Sequence, residues 1–227
     1  MNFGEKMEAY RRSIDTSLQE YSNDLLRDTK NVYGEQAAVA VEAYCSLLAR
    51  GGKRMALEAA CAVEMMHAYI LAIDDIQDRS ELRRGGPTAH SLLQQESVKA
   101  KWRGDHAHTG ISLALNGALI GAHYAQNVLA DLKVSEPIRL RVLKLMNSTM
   151  IITAHGQTGD IINEVNGAVT KDDIDAVVLR KTAHYTILNP LQIGMCLAGA
   201  DENDLQIVSG YALEVGRAFQ ITDDALM

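Results

Sequence analysis

Proline and aromatic residues are scarce in this sequence. Only 3 of its 227 residues are proline and 5% are aromatic, whereas 47% are hydrophobic, with a bias towards Ala, Leu, Ile and Met. Strands are usually enriched in aromatic and β-branched residues, and helices tolerate little proline, so the composition favours an all-α fold. A chain of this length can build one core, and we therefore expect a single domain over residues 1–227.

Cysteine, positive charge and leader-like segments are also sparse. Cys45, Cys61 and Cys196 are odd in number and lack metal-binding spacing, so we expect reduced core residues in a cytoplasmic protein. The net charge of -7 provides no basic field of the kind that nucleic-acid binding needs. Because Glu5 and Lys6 fall in the first turns, we expect no secretory signal, and since no run of about 18 uncharged apolar residues is present, we expect no integral membrane segment.

What the sequence does contain is an aspartate cluster at the end of an apolar helix. Residues 56–73 are apolar nearly all the way round, which predicts a helix buried in a large core, and Asp74, Asp75 and Asp78 follow it. On a helix, His67, Asp74 and Asp78 share one stripe, and the Cβ atoms of the last two lie about 6 Å apart. Carboxylates this close to an apolar interior repel each other and favour a cation, and an all-oxygen set suits Mg2+ better than zinc or copper.

An arginine pair follows the aspartate cluster. Arg83 and Arg84 come five and six residues after Asp78, and guanidinium groups match phosphate oxygens in geometry and charge. Because protein-bound Mg2+ usually completes its shell with substrate phosphates, the acids and arginines together predict a phosphorylated substrate bridged through metal. The alternative is a solvated helix end, with Arg83 and Arg84 as surface partners of the acids.

Two further segments each allow two interpretations. The Gly51-Gly52-Lys53-Arg54 segment is either an anion-binding corner or the basic C-terminal cap of a helix over residues 36–49. Gln157 and Asp160 lie three residues apart and can face the same way, either into a site or as a polar pair inside a helical bundle.

A second pair of acids, Asp223 and Asp224, ends another apolar helix, with Gln220 one turn earlier. Acid-tipped helices that face each other can build a multi-metal site in a bundle core. The acids of residues 172–175 differ, because Thr170 precedes them at the start of a helical pattern, so N-capping and the helix dipole explain them.

The remaining patterns place the motifs on helices. We expect an amphipathic helix over residues 3–30, a short helix opened by Pro87, and helices over residues 111–132 and 137–163. The polar stretch 95–107 predicts a loop. Lys181 and Thr182 lie within an apolar helix, in which Asn189-Pro190 predicts a break or kink.

Together these motifs resemble the trans-isoprenyl diphosphate synthases, the family of farnesyl and geranylgeranyl diphosphate synthases. The resemblance covers almost the whole chain and rests on five segments in family order: Gly51-Gly52-Lys53-Arg54, the 74–90 segment, Gly156-Gln157 with Asp160, Lys181-Thr182-Ala183, and Phe219-Gln220 with Asp223-Asp224. It implies an isoprenoid-synthase-type helical bundle around a deep central cavity, usually a homodimer. The implied reaction is head-to-tail elongation, in which isopentenyl diphosphate attacks an allylic diphosphate.

The resemblance also implies a role for each motif residue. The Mg2+ ions, three with diphosphate bound, would be held by Asp74, Asp78 and Asp223. The catalytic residues would be Asp74, Asp75, Asp78, Lys181, Asp223 and Asp224. The substrate-binding residues would be Lys53, Arg54, His67, Arg83, Arg84, Gln157, Thr182, Phe219 and Gln220. Among them, Lys53, His67 and Arg84 match isopentenyl diphosphate contacts, whereas Arg83 and Lys181 match contacts to the allylic diphosphate.

Product length in the family depends on bulk shortly before the first aspartates. Tyr69 and Ile70 occupy those positions here, and an aromatic residue at Tyr69 resembles family members whose products are about C20. The expected product is therefore a trans-prenyl diphosphate of about C15 to C20, a range taken from the family and its cavity-floor bulk.

The sequence departs from the family in several places. Met227 stands where the second motif has its third aspartate, the segment after Lys53-Arg54 is short, and we expect the domain to lack the family's C-terminal helices. Ala56, Ile73 and Gly117 also differ from the residues usual in the family. Two alternatives follow. A class I terpene cyclase also opens with a D-D-x-x-D helix, but it does not need Lys181-Thr182. A non-catalytic subunit of a heteromeric prenyltransferase typically loses its aspartates, which this chain keeps.

Overall fold

The computed structural model describes residues 53–226, with the side chains of Lys53, Arg54, Asp224 and Leu226 outside that description. The helices predicted over residues 3–30 and 36–49 therefore lie outside the described residues. So do the two glycines of the predicted corner, Cys45 and Met227.

The described chain is helical apart from one short hairpin. Its elements are α1 (Lys53–Gln77), β1 (Leu82–Arg83), β2 (Gly86–Pro87), α2 (Ala89–Lys99), α3 (His106–Ala130), α4 (Glu136–Val165), α5 (Lys171–Val177), a π-helical segment (Val178–Leu188), α6 (Asn189–Leu197) and α7 (Glu202–Leu226). This order confirms the predicted all-α class.

The core is built around α1. Cys61, Val63 and Met66 are fully buried there, as the apolar pattern of residues 56–73 predicts, and Cys196 of α6 is buried against the same cluster. By length and composition alone, Met55–Gln77 could also cross a membrane, but 61% of its apolar stretch is buried inside the fold. Packing of α1 in the core, chiefly against α3, accounts for its apolar composition without a membrane.

A tight hairpin reverses the chain after α1. Arg83 pairs with Gly86 across the two antiparallel strands. Arg84 (φ 51°) and Gly85 (φ 80°) form the two-residue turn with the left-handed backbone that favours glycine. The buried Thr88 hydroxyl donates a 2.8 Å hydrogen bond to a carbonyl of the preceding turn. The hairpin is thereby fixed beside the end of α1, where the aspartates lie.

The loop predicted over residues 95–107 is mostly helix. α2 continues to Lys99 and α3 begins at His106, so residues 100–105 alone connect them. Asp105 caps α3, because its carboxylate accepts hydrogen bonds from the backbone N–H groups of Ala107 and His108 at 2.9 and 3.1 Å. Residues 95–99 and 106–107 belong to the two helix ends, which a count of polar residues cannot distinguish from the loop of residues 100–105.

The chain from α5 to α6 is one continuous helix with a π-helical middle. At the junctions, Val177 (φ -65°, ψ -52°) and Asn189 (φ -63°, ψ -50°) keep right-handed helical dihedrals. Of the break or kink predicted at Asn189-Pro190, the break is therefore wrong. Pro190 lies in the first turn of α6, where a wider π turn precedes it and accommodates the missing N–H. The N-cap predicted at Thr170 is confirmed by a reciprocal capping box with Asp173.

Two glycines allow the π-helical segment to pack between α4 and α7. A β-carbon at Gly156 of α4 would overlap the backbone of Lys181. A β-carbon at Gly216 of α7 would lie 2.5 Å from the β-carbon of Ala183. Non-bonded carbon atoms do not approach each other this closely, so only glycine, which lacks a β-carbon, permits these two helix contacts. Lys181 and Thr182 are thereby held against both neighbouring helices.

Candidate active site

Lys181 lies where the end of α1, the π-helical segment and α4 meet. Its Nζ atom donates a 2.6 Å hydrogen bond to Oδ2 of Asp160 on α4 and lies 3.3 Å from Oδ1 of Asp74 on α1. Lys181 is 24% exposed and Asp74 18%, so solvent screens these charges only in part. One cation therefore joins carboxylates from two different helices.

Arg83 approaches the same acids from the hairpin. Its Nε donates a 2.7 Å hydrogen bond to Oδ1 of Asp75, and its Nη2 lies 2.7 Å from that oxygen and 3.4 Å from Oδ2 of Asp74. Asp75 is buried and Arg83 is partly exposed. The buried acid therefore anchors the guanidinium, while Asp74 is contacted by both Arg83 and Lys181.

Asp78 is exposed one turn beyond Asp74. Partial burial, followed by the negative charges of Asp74 and Asp160, raises the pKa of Asp78, although Lys181 and Arg83 oppose the rise. Burial by itself would lower the pKa of Lys181, but the hydrogen bond to Asp160 and the charge of Asp74 raise it. The carboxylates of Asp74, Asp78 and Asp160 thus share the site with two cations, Lys181 and Arg83.

α7 reaches this region through Gln220. The buried Thr182 hydroxyl donates a 2.7 Å hydrogen bond to Oε1 of Gln220. Asp223 follows Gln220 by one turn and is exposed, and Phe219 is 37% exposed. Because Thr182 adjoins Lys181, this hydrogen bond attaches α7 beside Lys181, and the predicted metal contact of Asp223 stays a prediction. The side chain of Asp224 lies outside the described residues.

The carboxylates fit a divalent cation that binds together with a phosphate. Among the residues that the structure describes, no group of three or more His, Cys, Asp or Glu side chains could hold a metal by itself. Mg2+, however, is usually bound by one or two carboxylates together with substrate phosphates. Asp74 and Asp78 supply such oxygens, and the repulsion that raises the pKa of Asp78 is what a cation would relieve. The donor set therefore fits Mg2+ accompanied by a phosphorylated ligand.

The other predicted substrate-binding residues are scattered around this site. Arg84 is exposed at the hairpin turn, whereas His67 is 2% exposed inside the core. Nε2 of Gln157 is buried and has no hydrogen-bond partner. The side chains of Lys53 and Arg54 lie outside the described residues, so their predicted contacts stay predictions.

The predicted product-length residues face the interior of the bundle. Tyr69 and Ile70 are partly buried and pack against the core cluster. Burial raises the pKa of the Tyr69 hydroxyl to about 12. A β-carbon at Gly121 of α3 would lie 3.8 Å from the Tyr69 β-carbon, so the base of the Tyr69 side chain lies against α3.

Two residues at the site are given no role in it by the sequence. Asp160 is one of two residues that could face either into a site or into the bundle, and the structure places it in the 2.6 Å contact to Lys181. Burial raises the pKa of the Tyr185 hydroxyl, which also feels the charges of Asp74 and Lys181. The spacing of four residues from Lys181 to Tyr185 was the available signal, but it depends on a regular helix, which the π-helical segment is not.

A family model of known proteins matches most of this chain. The family model described as polyprenyl synthetase matches residues 16–226. The geranylgeranyl diphosphate synthase of Sulfolobus acidocaldarius is 32% identical over 177 residues, which cover 78% of this chain and 49% of that protein. The farnesyl diphosphate synthase of Bacillus subtilis is 32% identical over 174 residues, covering 73% and 52%. The chain thus spans about half the length of these relatives.

Solved structures share the fold. The geranylgeranyl pyrophosphate synthase of Corynebacterium glutamicum, complexed with isoprenyl diphosphate and magnesium, superposes with a TM-score of 0.82 at 24% identity. The alignment covers 100% of this chain and 69% of that one. At this identity the likeness establishes the helical fold.

Proposed function

Because this chain belongs to the polyprenyl synthetase family, we propose that it is a Mg2+-dependent prenyltransferase that condenses isopentenyl diphosphate with an allylic diphosphate. The product would be a longer trans-prenyl diphosphate. The observation that carries the proposal is the contact of Lys181 with both Asp74 and Asp160, beside Arg83. Such a site offers cations to a diphosphate and carboxylates to a metal.

The proposed reaction exchanges a C–O bond for a C–C bond. The allylic C–O bond breaks, which leaves inorganic diphosphate and an allylic cation. The double bond of isopentenyl diphosphate attacks that cation, and the proton lost from the adduct passes to the departing diphosphate. The protein must therefore neutralise the leaving group and keep water from the cation.

Arg83 and Lys181 are placed to neutralise the leaving diphosphate. Arg83 keeps Asp75 as its anchor, so its Nη2 can turn from Asp74 to a phosphate oxygen. Lys181 can likewise exchange its contact with Asp74 for a phosphate while Asp160 holds it. Mg2+, which would be held by Asp74, Asp78 and Asp223, would supply Lewis-acid neutralisation of the same group.

The reacting end would be lined by polar side chains from three helices. Thr182 and Gln220 are already hydrogen-bonded to each other, and the buried Nε2 of Gln157 has no partner. Their polar oxygen and nitrogen atoms can face the charges that develop as the allylic C–O bond breaks. Tyr69 and Ile70 on α1 would limit the chain, and the short products named for the farnesyl and geranylgeranyl relatives support a length of about C15 to C20.

We also propose a cytoplasmic homodimer. α3 exposes Leu115, Leu119, Ile120 and Tyr124, each at least 41% accessible, and exposed large apolar residues on one helix suit a protein partner. Two buried free cysteines, Cys61 and Cys196, agree with a reducing compartment.

The test is a chain-elongation assay with matched acid variants. Purified protein, isopentenyl diphosphate, an allylic diphosphate and Mg2+ should yield a longer prenyl diphosphate, identified by chromatography. Asp74→Ala should lower turnover by ~100-fold or more, because the site loses the acid shared by both cations. Asp172→Ala, an exposed acid of the capping cluster, should leave turnover within about twofold.

The same assay separates the alternatives. Diphosphate binding without elongation would favour a non-catalytic subunit, and release of a cyclic hydrocarbon would favour a cyclase. Near-normal activity of Asp74→Ala would refute the metal assignment.

A further inference from the structure

The turn that ends α2 exposes the single tryptophan of the chain. Trp102 is 51% exposed, and Val98, four residues earlier, is 53% exposed. The backbone N–H of Trp102 donates to the Ser97 carbonyl, and that of Lys101 donates to the Val98 carbonyl, both at 3.0 Å. These two bonds form a Schellman motif, in which an apolar residue at the Trp102 position usually packs on the last turn of its own helix. Here Ser97 and Glu96 stand where that apolar partner would be.

The same turn has lysine where glycine is the favoured residue. Lys101 has a left-handed backbone (φ 54°), which glycine adopts without steric cost and a residue with a β-carbon does not. Lys101 and Arg103 are both exposed and flank Trp102 in the chain. Neither forms an ion pair with an acid in the described part of the chain. The turn therefore presents two unpaired cations around an aromatic ring, in a chain whose net charge is -7.

Both neighbouring helices hold this turn in place. Ser97 is fully buried, and its hydroxyl donates a 2.8 Å hydrogen bond to the Gln94 carbonyl and lies 2.9 Å from Nδ1 of His106, at the start of α3. Asp105 caps α3 from within the turn. α2 has 11 residues and so spans about 16 Å, which separates the turn from the hairpin beside the aspartates. The turn is a fixed surface feature apart from the candidate active site.

We propose that the Trp102 patch, formed by Val98, Lys101, Trp102 and Arg103, docks this protein on a membrane surface that carries anionic lipid headgroups. Tryptophan suits the lipid–water interface because it joins a large apolar ring to a polar N–H, and Val98 adds apolar area beside it. Lysine and arginine are attracted to anionic headgroups over about 8 Å at physiological salt, so the local cations count for more than the distant acids of the chain. Two cations are too few for a nucleic-acid backbone, on which affinity grows with each phosphate neutralised.

Membrane docking goes beyond the proposed prenyltransferase function and is compatible with it. The proposed product carries an apolar chain, and the transfer of such a chain into lipid becomes more favourable with each methylene that is buried. An enzyme docked at the surface would release this product next to the bilayer that takes it up.

Because Trp102 is the only tryptophan of the chain, its fluorescence reports on the patch alone. The full chain is titrated with vesicles of phosphatidylcholine and phosphatidylglycerol in equal parts, and separately with vesicles of pure phosphatidylcholine. The mixed vesicles should shift the Trp102 emission to shorter wavelength, because the ring leaves water, and the neutral vesicles should shift it much less. An emission that the mixed vesicles leave unchanged would overturn the proposal, and so would equal shifts with both kinds of vesicle.

Matched charge variants identify the cations that bind. Lys101→Gln combined with Arg103→Gln should weaken partitioning into mixed vesicles, measured by co-sedimentation, by about tenfold or more, since each cation at such a surface contributes about fivefold. Lys133→Gln combined with Lys144→Gln removes the same charge from exposed positions outside the patch and should change partitioning less than about twofold. Equal losses in the two double variants would overturn the proposal. The vesicles carry no substrate, so a protein that fails to elongate would refute the proposed function and leave the docking surface to be judged by these measurements.

Discussion

Gly156 on α4 stands directly against the backbone of Lys181, so that a β-carbon on Gly156 would lie 2.7 Å from the Lys181 α-carbon. One turn after Gly156, Asp160 accepts the 2.6 Å hydrogen bond from Lys181 Nζ. The close backbone approach therefore sets the distance across which lysine and aspartate pair.

Gly156→Ala should destabilise the protein and lower turnover. The added methyl meets backbone, which cannot move aside as a flexible side chain would, so we expect a loss of about 1–3 kcal/mol in the free energy of unfolding. Gly117→Ala on α3 is the matched control, because its new β-carbon meets nothing within 4 Å. That variant should be neutral or slightly stabilised in the same urea titration. Equal effects at both positions would contradict the packing argument.

Thr182→Val should weaken the attachment of α7. It removes the 2.7 Å hydrogen bond to Gln220 from a buried site without changing side-chain shape, for an expected loss of about 1 kcal/mol. Thr158→Val is the control, since that exposed hydroxyl bonds only within its own helix, to the Ala154 carbonyl. Chemical denaturation of both variants measures the difference in their free energies of unfolding. If Thr158→Val is destabilised as much as Thr182→Val, the loss comes from the valine side chain and not from the missing hydrogen bond to Gln220.

Asp78→Asn should stabilise the protein at neutral pH while lowering Mg2+-dependent activity. Burial and the charges of Asp74 and Asp160 raise the pKa of Asp78 above its ordinary 3.8, so the folded state holds this proton more tightly than the unfolded chain. Wild-type stability therefore falls as pH rises from the unfolded pKa through the folded one.

The gain of Asp78→Asn should accordingly be full at pH 7. It should disappear near pH ~3, where Asp78 is protonated in both states. Urea midpoints at the two pH values measure it. A gain that is the same at both values would mean that charge is not its cause.

Thr170→Ala should cost stability and spare activity. Thr170 caps α5, and its hydroxyl accepts the N–H of Asp173 at 3.2 Å, so its loss should lower the free energy of unfolding by about 1 kcal/mol. Turnover measured under folding conditions should not change. A large loss of turnover would mean that the acids of residues 172–175 belong to the site after all.

Local chemistry was readable from the sequence wherever neighbours in the chain are also neighbours in space. The apolar run of residues 56–73, the N-cap at Thr170 and the repulsion between Asp74 and Asp78 depend on contacts one turn apart, and each appears in the structure. The break predicted at Asn189-Pro190 is wrong for a related reason. A proline rule assumes α-helical spacing, and the π-helical segment changes that spacing before Pro190 is reached.

The sequence by itself determined the helical class, the family motifs and the residue types that can meet a diphosphate and a divalent cation, because periodicity and side-chain chemistry are properties of the chain. Only the tertiary structure decided which groups share a site. Asp160 joins Lys181 across 21 residues, Asp75 rather than Asp74 anchors Arg83, and His67 meets a carbonyl 118 residues away. These partners depend on how close the backbones of separate helices approach, which is set by glycines such as Gly156 and by packing that no local pattern encodes.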